Sequence, residues 1–209
     1  MGKPENLALV LRIPRALEHL ELEIGTLDGE LWSLAKIITM LTPHKKSLRT
    51  LEISAMYNHT PDFKDFGLRD FVSLESLTLG RVGRLSDDSQ AQILAARNLR
   101  RFRWVIKQDF FDPHETDHNA WFLFDREEET WLRELATQAI ARQLPLERID
   151  VDFYPSVACQ RIPEEYPWDR MDRVADEIRR GGITLSYRLP SATREEFGTM
   201  PWPMVAMFE

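Results

Sequence analysis

The chain has 209 residues, 43% of them hydrophobic, with a net charge of −7 and a pI near 5.4. This length and apolar content support a sizeable core, and the acidic balance argues against non-specific binding to nucleic acid or to an anionic membrane. The lone Cys159 cannot form an internal disulfide and no apolar run approaches transmembrane length, so we expect a cytoplasmic or nuclear protein.

The motif L-x-x-L-x-L recurs along the chain and predicts a repeated strand. Its fourth and sixth positions are apolar between mostly polar neighbours, the period-two pattern of a half-buried strand. The motif begins at residues 17, 48, 74, 99 and 146, and the first three separations (31, 26 and 25 residues) fit one strand and one short helix. Parallel βαβ units have a similar period, but the leucine ahead of each strand favours leucine-rich repeats. The five sets are Leu17-Leu20-Leu22, Leu48-Leu51-Ile53, Leu74-Leu77-Leu79, Leu99-Phe102-Trp104 and Leu146-Ile149-Val151.

The first half of the chain is predicted to alternate between helix and strand. A helix over residues 5–13 precedes strand one at 18–24, and Asp28 caps a helix whose apolar stripe ends at Leu41. The remaining predicted elements of this half are strands at 49–55, 75–80 and 100–106, a short helix near 66–72 and a helix capped by Ser86.

The second half begins with an irregular, polar and aromatic insert at about residues 107–125. Its Trp121, Phe122 and Phe124 are either a partner-binding knob or a hydrophobic anchor on the repeats, and the usual burial of large aromatics favours the anchor. The elements predicted after it are a helix at 126–143 with Leu132, Leu135, Ala136, Ala139 and Ile140 on its buried stripe, a strand at 147–153, a helix at 168–180 and a strand at 183–187. We expect one domain over residues 1–188 and a capping or flexible tail over residues 189–209.

On these five motif sets, from Leu17 to Val151, the chain resembles the leucine-rich-repeat region of F-box proteins, particularly the divergent kind common in fungi. The resemblance implies an α/β leucine-rich-repeat-like solenoid, with about six parallel strands on its concave face and helices on its convex side. Family members use such repeats to recognise substrates for ubiquitin ligation. The ninth motif position, usually Asn or Cys, holds Gly25, Met56, Val82, Lys107 and Tyr154, so an asparagine ladder is not implied.

Nothing in the sequence is typical of an F-box. We therefore expect a ligase adaptor as a partner only if an F-box lies outside this chain. The expected function is protein–protein interaction. In its most specific form, the hypothesis is that the chain is the substrate-recognition part of an F-box-type ubiquitin ligase receptor.

The predicted partner-binding site is the set of side chains that flank the apolar motif positions, because these project from the concave face. From strand one to strand five the face is predicted to run acidic, neutral, basic and then acidic again, and such zones set orientation and on-rate in recognition. Any solvated strand face is also charged, which is the alternative interpretation. The predicted site residues are His19, Glu21, Glu23, Glu52, Thr78, Arg101, Arg103, Arg148, Asp150 and Asp152. We expect a protein partner, with no nucleic acid, membrane or cofactor.

The segment 114–118 matches the H-E-x-x-H string of zinc hydrolases, which places two imidazoles on one helix face and a glutamate as general base. Its context is unfavourable, because Pro113 precedes it, Asp117 stands where an uncharged residue is expected, and the surroundings show no helical apolar stripe. We therefore predict no catalytic or metal-binding residue. A metal-dependent hydrolase using His114, Glu115 and His118 is the alternative function.

Overall fold

The computed structural model of the protein describes residues 4–23, 34–54, 66–80, 85–107, 124–154, 165–190 and 193–199. Its strands are β1 (His19–Glu23), β2 (Thr50–Ser54), β3 (Ser76–Gly80), β4 (Arg101–Lys107), β5 (Arg148–Tyr154) and β6 (Thr184–Tyr187). Its helices are α1 (Pro4–Leu11), α2 (Leu34–Leu41), α3 (Asp87–Ala95), α4 (Arg126–Ala141), α5 (Pro167–Arg179) and α6 (Arg194–Thr199), with short 3₁₀ turns at Thr42–His44 and Leu68–Asp70.

The six strands form one open, parallel sheet in which the spatial order follows the chain order. Equivalent motif positions pair without slippage, so that Leu20, Leu51 and Leu77 lie side by side and the row continues through Phe102 and Ile149. The predicted α/β class and the six parallel strands are therefore confirmed.

The core lies between one face of the sheet and the helices. The fourth and sixth motif positions of β2 to β5 are no more than 3% exposed, because the alternating pattern places them all on one side of the sheet. The helices contribute their apolar stripes, and burial of each such side chain stabilises the fold by about 1.5–3 kcal/mol. A single connected cluster of buried residues runs from Leu11 to Phe197.

The register is fixed where each strand begins. The carbonyl of Glu18 accepts hydrogen bonds from both Arg49 and Thr50, at 2.7 and 3.0 Å. The carbonyls of Arg49, Glu75 and Arg100 each accept two such bonds from the next strand in the same way. Because each carbonyl holds two consecutive amides, the following strand cannot slip by one residue without breaking both bonds.

Polar side chains connect the turns that precede the strands. Ser73 donates to the carbonyl of Lys46 at 2.7 Å, and Asn98 donates to that of Val72 at 2.5 Å. Ser47 donates in a related way to the carbonyl of Leu17 at 2.9 Å. These residues stand just before the first motif leucine, and they form a ladder of side-chain-to-carbonyl hydrogen bonds between successive strand units.

The two described ends of the insert, Lys107 and Asp125, join regular secondary structure. Lys107 is the last residue of β4, and Asp125 caps α4 in a reciprocal capping box with Glu128. Phe124 has no exposed surface and lies with its ring centre 6.4 Å from that of Trp104 and 6.3 Å from that of Phe153. Phe124 is therefore a hydrophobic anchor, while Trp121 and Phe122 lie outside the described residues.

Ile140 departs from the predicted buried stripe of α4, since it is 38% exposed. It lies against Gly181, where an added β-carbon would come within 2.1 Å of the Ile140 Cδ1 atom. Gly181 thus packs closely against one side of Ile140, and the remainder of this side chain is exposed. Ser86, predicted as the cap of α3, occupies the N-cap position without a side-chain cap bond.

Within the described ranges, no helix combines the length and the apolar character that crossing a bilayer requires.

Candidate functional site

The sheet face away from the helices carries the predicted site residues in straight rows, because the strand register is constant. We call this surface the polar face. Its three rows are His19, Thr50, Ser76, Arg101, Arg148 and Thr184; then Glu21, Glu52, Thr78, Arg103, Asp150 and Ser186; and then Glu23, Ser54, Gly80, Val105 and Asp152.

The β1–β2 end of the polar face is acidic. Glu21 lies directly opposite Glu52, and Glu23 follows on the same side of β1. Among the described residues, neither Glu21 nor Glu52 makes an ion pair. Like charges directly opposite one another in a sheet destabilise it, so this arrangement favours a partner that brings positive charge.

The side chains at the centre of the polar face are short. Thr78 is only 5% exposed, since its short side chain lies between the longer Glu52 and Arg103 in its row. In the next row a β-carbon on Gly80 would be 3.1 Å from the Ser54 Cβ and 3.5 Å from the Val105 Cβ. Thr78, predicted as a contact residue, thus offers a partner little surface.

The β4–β5 end of the polar face is a network of arginines and aspartates. Asp150 accepts hydrogen bonds from Arg101 Nε at 2.6 Å and from Arg148 Nε at 2.8 Å, one on each carboxylate oxygen. Its side chain is 8% exposed, whereas those of the two arginines are each 49% exposed. Asp150, also predicted as a contact residue, is therefore buried beneath the two arginines and holds them in position at the surface.

A second pair lies one row further along, where Arg103 Nε donates to Asp152 Oδ2 at 2.8 Å. This hydrogen bond raises the pKa of Arg103 more than partial burial lowers it, and the charges of Asp152, Glu52 and Asp150 act in the same direction. The guanidinium consequently stays charged, and its half-exposed side chain contributes positive potential to this end of the face.

A concavity of about 420 Å³ lies at this end and is open to solvent. It brings together five predicted site residues with residues that sequence reasoning missed. The lining residues are Arg101, Arg103, Arg148, Asp150, Asp152, Tyr154, Ser186, Tyr187 and Arg188.

The missed residues lie in β6, directly after β6 and at the end of β5. The first motif position before β6 is Gly182 rather than leucine, so the sequence does not reveal a sixth copy of the motif. Tyr154 occupies the ninth position of the fifth copy, which begins at Leu146. The Arg188 guanidinium carbon lies 4.5 Å from the centre of the Tyr154 ring, a cation–π distance. Burial and a hydrogen bond donated to Asp172 raise the pKa of Tyr187 to about 12, so its hydroxyl is a neutral donor at physiological pH.

His114, Glu115 and His118 lie outside the described residues. In the part of the chain that the structure describes, no group of three or more His, Cys, Asp or Glu residues could hold a metal ion.

Comparison with protein-family models, with curated proteins and with solved structures found no match to this chain.

Proposed function

We propose that the polar face binds a partner protein, and that the six strand units form a short leucine-rich-repeat-like solenoid with this face on its concave side. The strictly sequential, parallel strand order supports the solenoid, because doubly wound sheets reverse their strand order at a switch point. The buried leucines ahead of β2, β3 and β4 (Leu48, Leu74 and Leu99) also support it.

The observation that carries the binding proposal is the division of charge across the polar face. Three carboxylates, Glu21, Glu23 and Glu52, occupy the β1–β2 end, whereas the arginine-lined concavity occupies the β4–β6 end. At about 4.8 Å per strand step, the centres of β1 and β5 are about 19 Å apart. An extended partner segment of about six residues spans that distance, and its own charges then decide its direction across the sheet.

The test is a quantitative pull-down from native lysate with mass spectrometry. It compares the wild type with Arg101→Gln/Arg103→Gln, Glu21→Gln/Glu52→Gln and the helix variant Glu134→Gln, each first shown by circular dichroism to be folded. Glu134 is an exposed residue of α4 and serves as the control. We expect a partner that is retained by the wild type and the control and depleted from both face variants. A set of retained proteins unchanged by either face variant would refute the proposal.

The resemblance to F-box repeat regions adds an outcome to the same experiment. We propose that the chain is the substrate-recognition part of an F-box-type ubiquitin ligase receptor, and a ligase adaptor among the specifically retained proteins would support this. Specific capture of a partner without any adaptor would restrict the proposal to protein binding.

A further inference from the structure

Arg101 and Arg148 lie directly opposite each other across β4 and β5. Two guanidinium groups in that relation repel each other, and the structure offsets this by placing Asp150 between them. One buried carboxylate neutralises one of the two charges. The three side chains together therefore retain a net charge of +1 at a fixed position in the lining of the concavity.

Both arginines are held by one edge only. Each donates its Nε–H to Asp150, and the structure shows no hydrogen bond from their Nη atoms to any described residue. A guanidinium has five donors in a planar fork, so the Nη edge of each remains available for a bidentate acceptor. Both side chains are half-exposed while the carboxylate that orients them is buried.

The surrounding charges reinforce this arrangement. Arg103 and Arg188 line the same concavity, which gives four arginines against the two aspartates, Asp150 and Asp152, and a net charge of +2. Arginines that are oriented in advance bind oxyanions with less loss of side-chain freedom than mobile ones. The oxyanions that an unmodified protein partner carries are carboxylates, and the two oxygens of a carboxylate match the two parallel N–H donors of an Nη edge.

We propose that Arg101 and Arg148, positioned by Asp150, form a carboxylate-binding site for an acidic segment of the partner protein. This inference rests on the proposed function and names the chemistry of the part of the partner that contacts the β4–β6 end of the polar face. Asp150 is a positioning residue in this site, while Arg101 and Arg148 make the contact.

The test is isothermal titration calorimetry at low ionic strength, with N-acetylated and C-amidated hexaglutamate as the probe. Hexalysine and inorganic phosphate are the comparison ligands. The protein variants are Arg148→Gln, Arg101→Gln and Asp150→Asn, with Arg142→Gln as the matched control that removes one exposed arginine of the α4 terminus. Thermal melts establish that each variant is folded.

We expect hexaglutamate to bind, and we expect any binding of hexalysine to be unchanged by Arg101→Gln and Arg148→Gln. Arg148→Gln and Arg101→Gln should each weaken hexaglutamate binding about tenfold, and Arg142→Gln by less than about twofold. Asp150→Asn should also weaken binding, although it makes the concavity more positive, because the arginines lose their orientation. A purely electrostatic attraction would make Asp150→Asn bind more tightly.

Equal weakening by Arg142→Gln and Arg148→Gln would overturn the site, and so would tighter binding by Asp150→Asn. If Asp150→Asn does not fold, the comparison of Arg101→Gln and Arg148→Gln with the control Arg142→Gln still tests the site. Phosphate binding more tightly than hexaglutamate would overturn the choice of a carboxylate. Lysate capture that depends on the polar face, without any hexaglutamate binding, would refute this site and leave the proposed function standing.

Discussion

Glu129 shows how much of this fold depends on single buried polar residues. Its carboxylate is almost fully buried between α4 and α5 and accepts hydrogen bonds from Arg170 at 2.8 Å, Arg133 at 2.8 Å and Arg173 at 3.1 Å. Burial on its own would raise the pKa of Glu129, but the hydrogen bonds from Arg173, Arg170 and Arg133 outweigh it and hold the pKa below its ordinary value.

Glu129→Gln should lower the free energy of unfolding at neutral pH by about 3 kcal/mol, because the buried Arg170 loses its nearest counter-charge. A carboxylate with a lowered folded-state pKa stabilises the fold fully above its unfolded value of about 4.3, and this contribution is lost as the pH falls through the folded pKa. The variant should therefore lose less stability than the wild type on acidification from about pH 5. Urea unfolding at several pH values measures this.

The control for that experiment is Glu134→Gln, an exposed position on the same helix. It should change stability by less than about 0.5 kcal/mol and keep the acid dependence of the wild type. Identical pH profiles for the wild type and Glu129→Gln would contradict the assignment.

His44 is a second buried polar residue that connects distant parts of the chain. Its Nε2 lies 2.6 Å from the carbonyl of Leu11, and its Nδ1 accepts the amide of Leu17 at 3.3 Å, an arrangement that requires the neutral ring with hydrogen on Nε2. His44→Ala should lower the free energy of unfolding by about 2–3 kcal/mol, since it leaves two backbone groups without their partner. His19→Ala, which changes an exposed histidine, is the control in chemical denaturation, and equal effects of the two would contradict this role.

The burial of individual side chains is the feature that the sequence predicts least well. Thr78 and Asp150 follow the alternation of outward positions, yet both are buried, because longer side chains on the neighbouring strands extend over them. Glu129 is in an ordinary acidic first helical turn, and its partners Arg170 and Arg173 are 41 and 44 residues away. No local pattern reports such a contact.

At the scale of elements, the junction of α4 and α5 depends on two adjacent glycines with different roles. An added β-carbon on Gly181 would be 2.1 Å from the Ile140 Cδ1 and 2.7 Å from its Cγ1, whereas Gly182 has open space but a φ of 85°. The first glycine therefore avoids a clash between elements, and the second permits a left-handed backbone at the end of α5.

Gly181→Ala should cost about 1 kcal/mol of unfolding free energy, because Ile140 must leave its preferred rotamer. Ile140→Ala should relieve that cost, which gives a coupling energy of about 1 kcal/mol in a double-mutant cycle measured by thermal or urea unfolding. Gly182→Ala should also destabilise, through its backbone, but without any relief from Ile140→Ala. Relief of both glycine variants, or of neither, would contradict the distinction.

Strands and helices were largely predictable, because each is defined by a local pattern. The five L-x-x-L-x-L sets place β1 to β5 within one or two residues, and the long apolar stripe of α4 reveals a helix without reference to its neighbours. Ile140 is the exception on that stripe, and it lies against Gly181, a residue beyond the end of α5 that no local pattern within α4 reveals. The hidden sixth motif likewise concealed the contributions of Tyr187 and Arg188 to the concavity.

At the scale of the whole molecule, stability is distributed unevenly along the sheet. The apolar residues of β1, Leu20 and Leu22, are only partly buried, whereas Leu77 and Leu79 of β3 have no exposed surface. Among the described strands β1 lies at one end of the sheet and pairs only with β2, whereas β3 pairs with a strand on each side.

Hydrogen exchange measured by NMR should therefore show amides of β1 exchanging at least about tenfold faster than those of β3 under native conditions. The paired core positions Leu20 and Leu77 give a direct comparison, because they occupy the same row of the sheet. Equal protection of the two strands would show that the sheet opens as one cooperative unit.

The paired carbonyl bonds at the strand starts have a consequence for how such a chain can change over generations. The equivalent residues His19, Thr50, Ser76, Arg101 and Arg148 are separated by 31, 26, 25 and 47 positions, yet they stand in one row. Connections can therefore gain or lose residues by mutation without turning any outward side chain towards the helices. The length of the chain and the chemistry of its polar face are free to evolve separately.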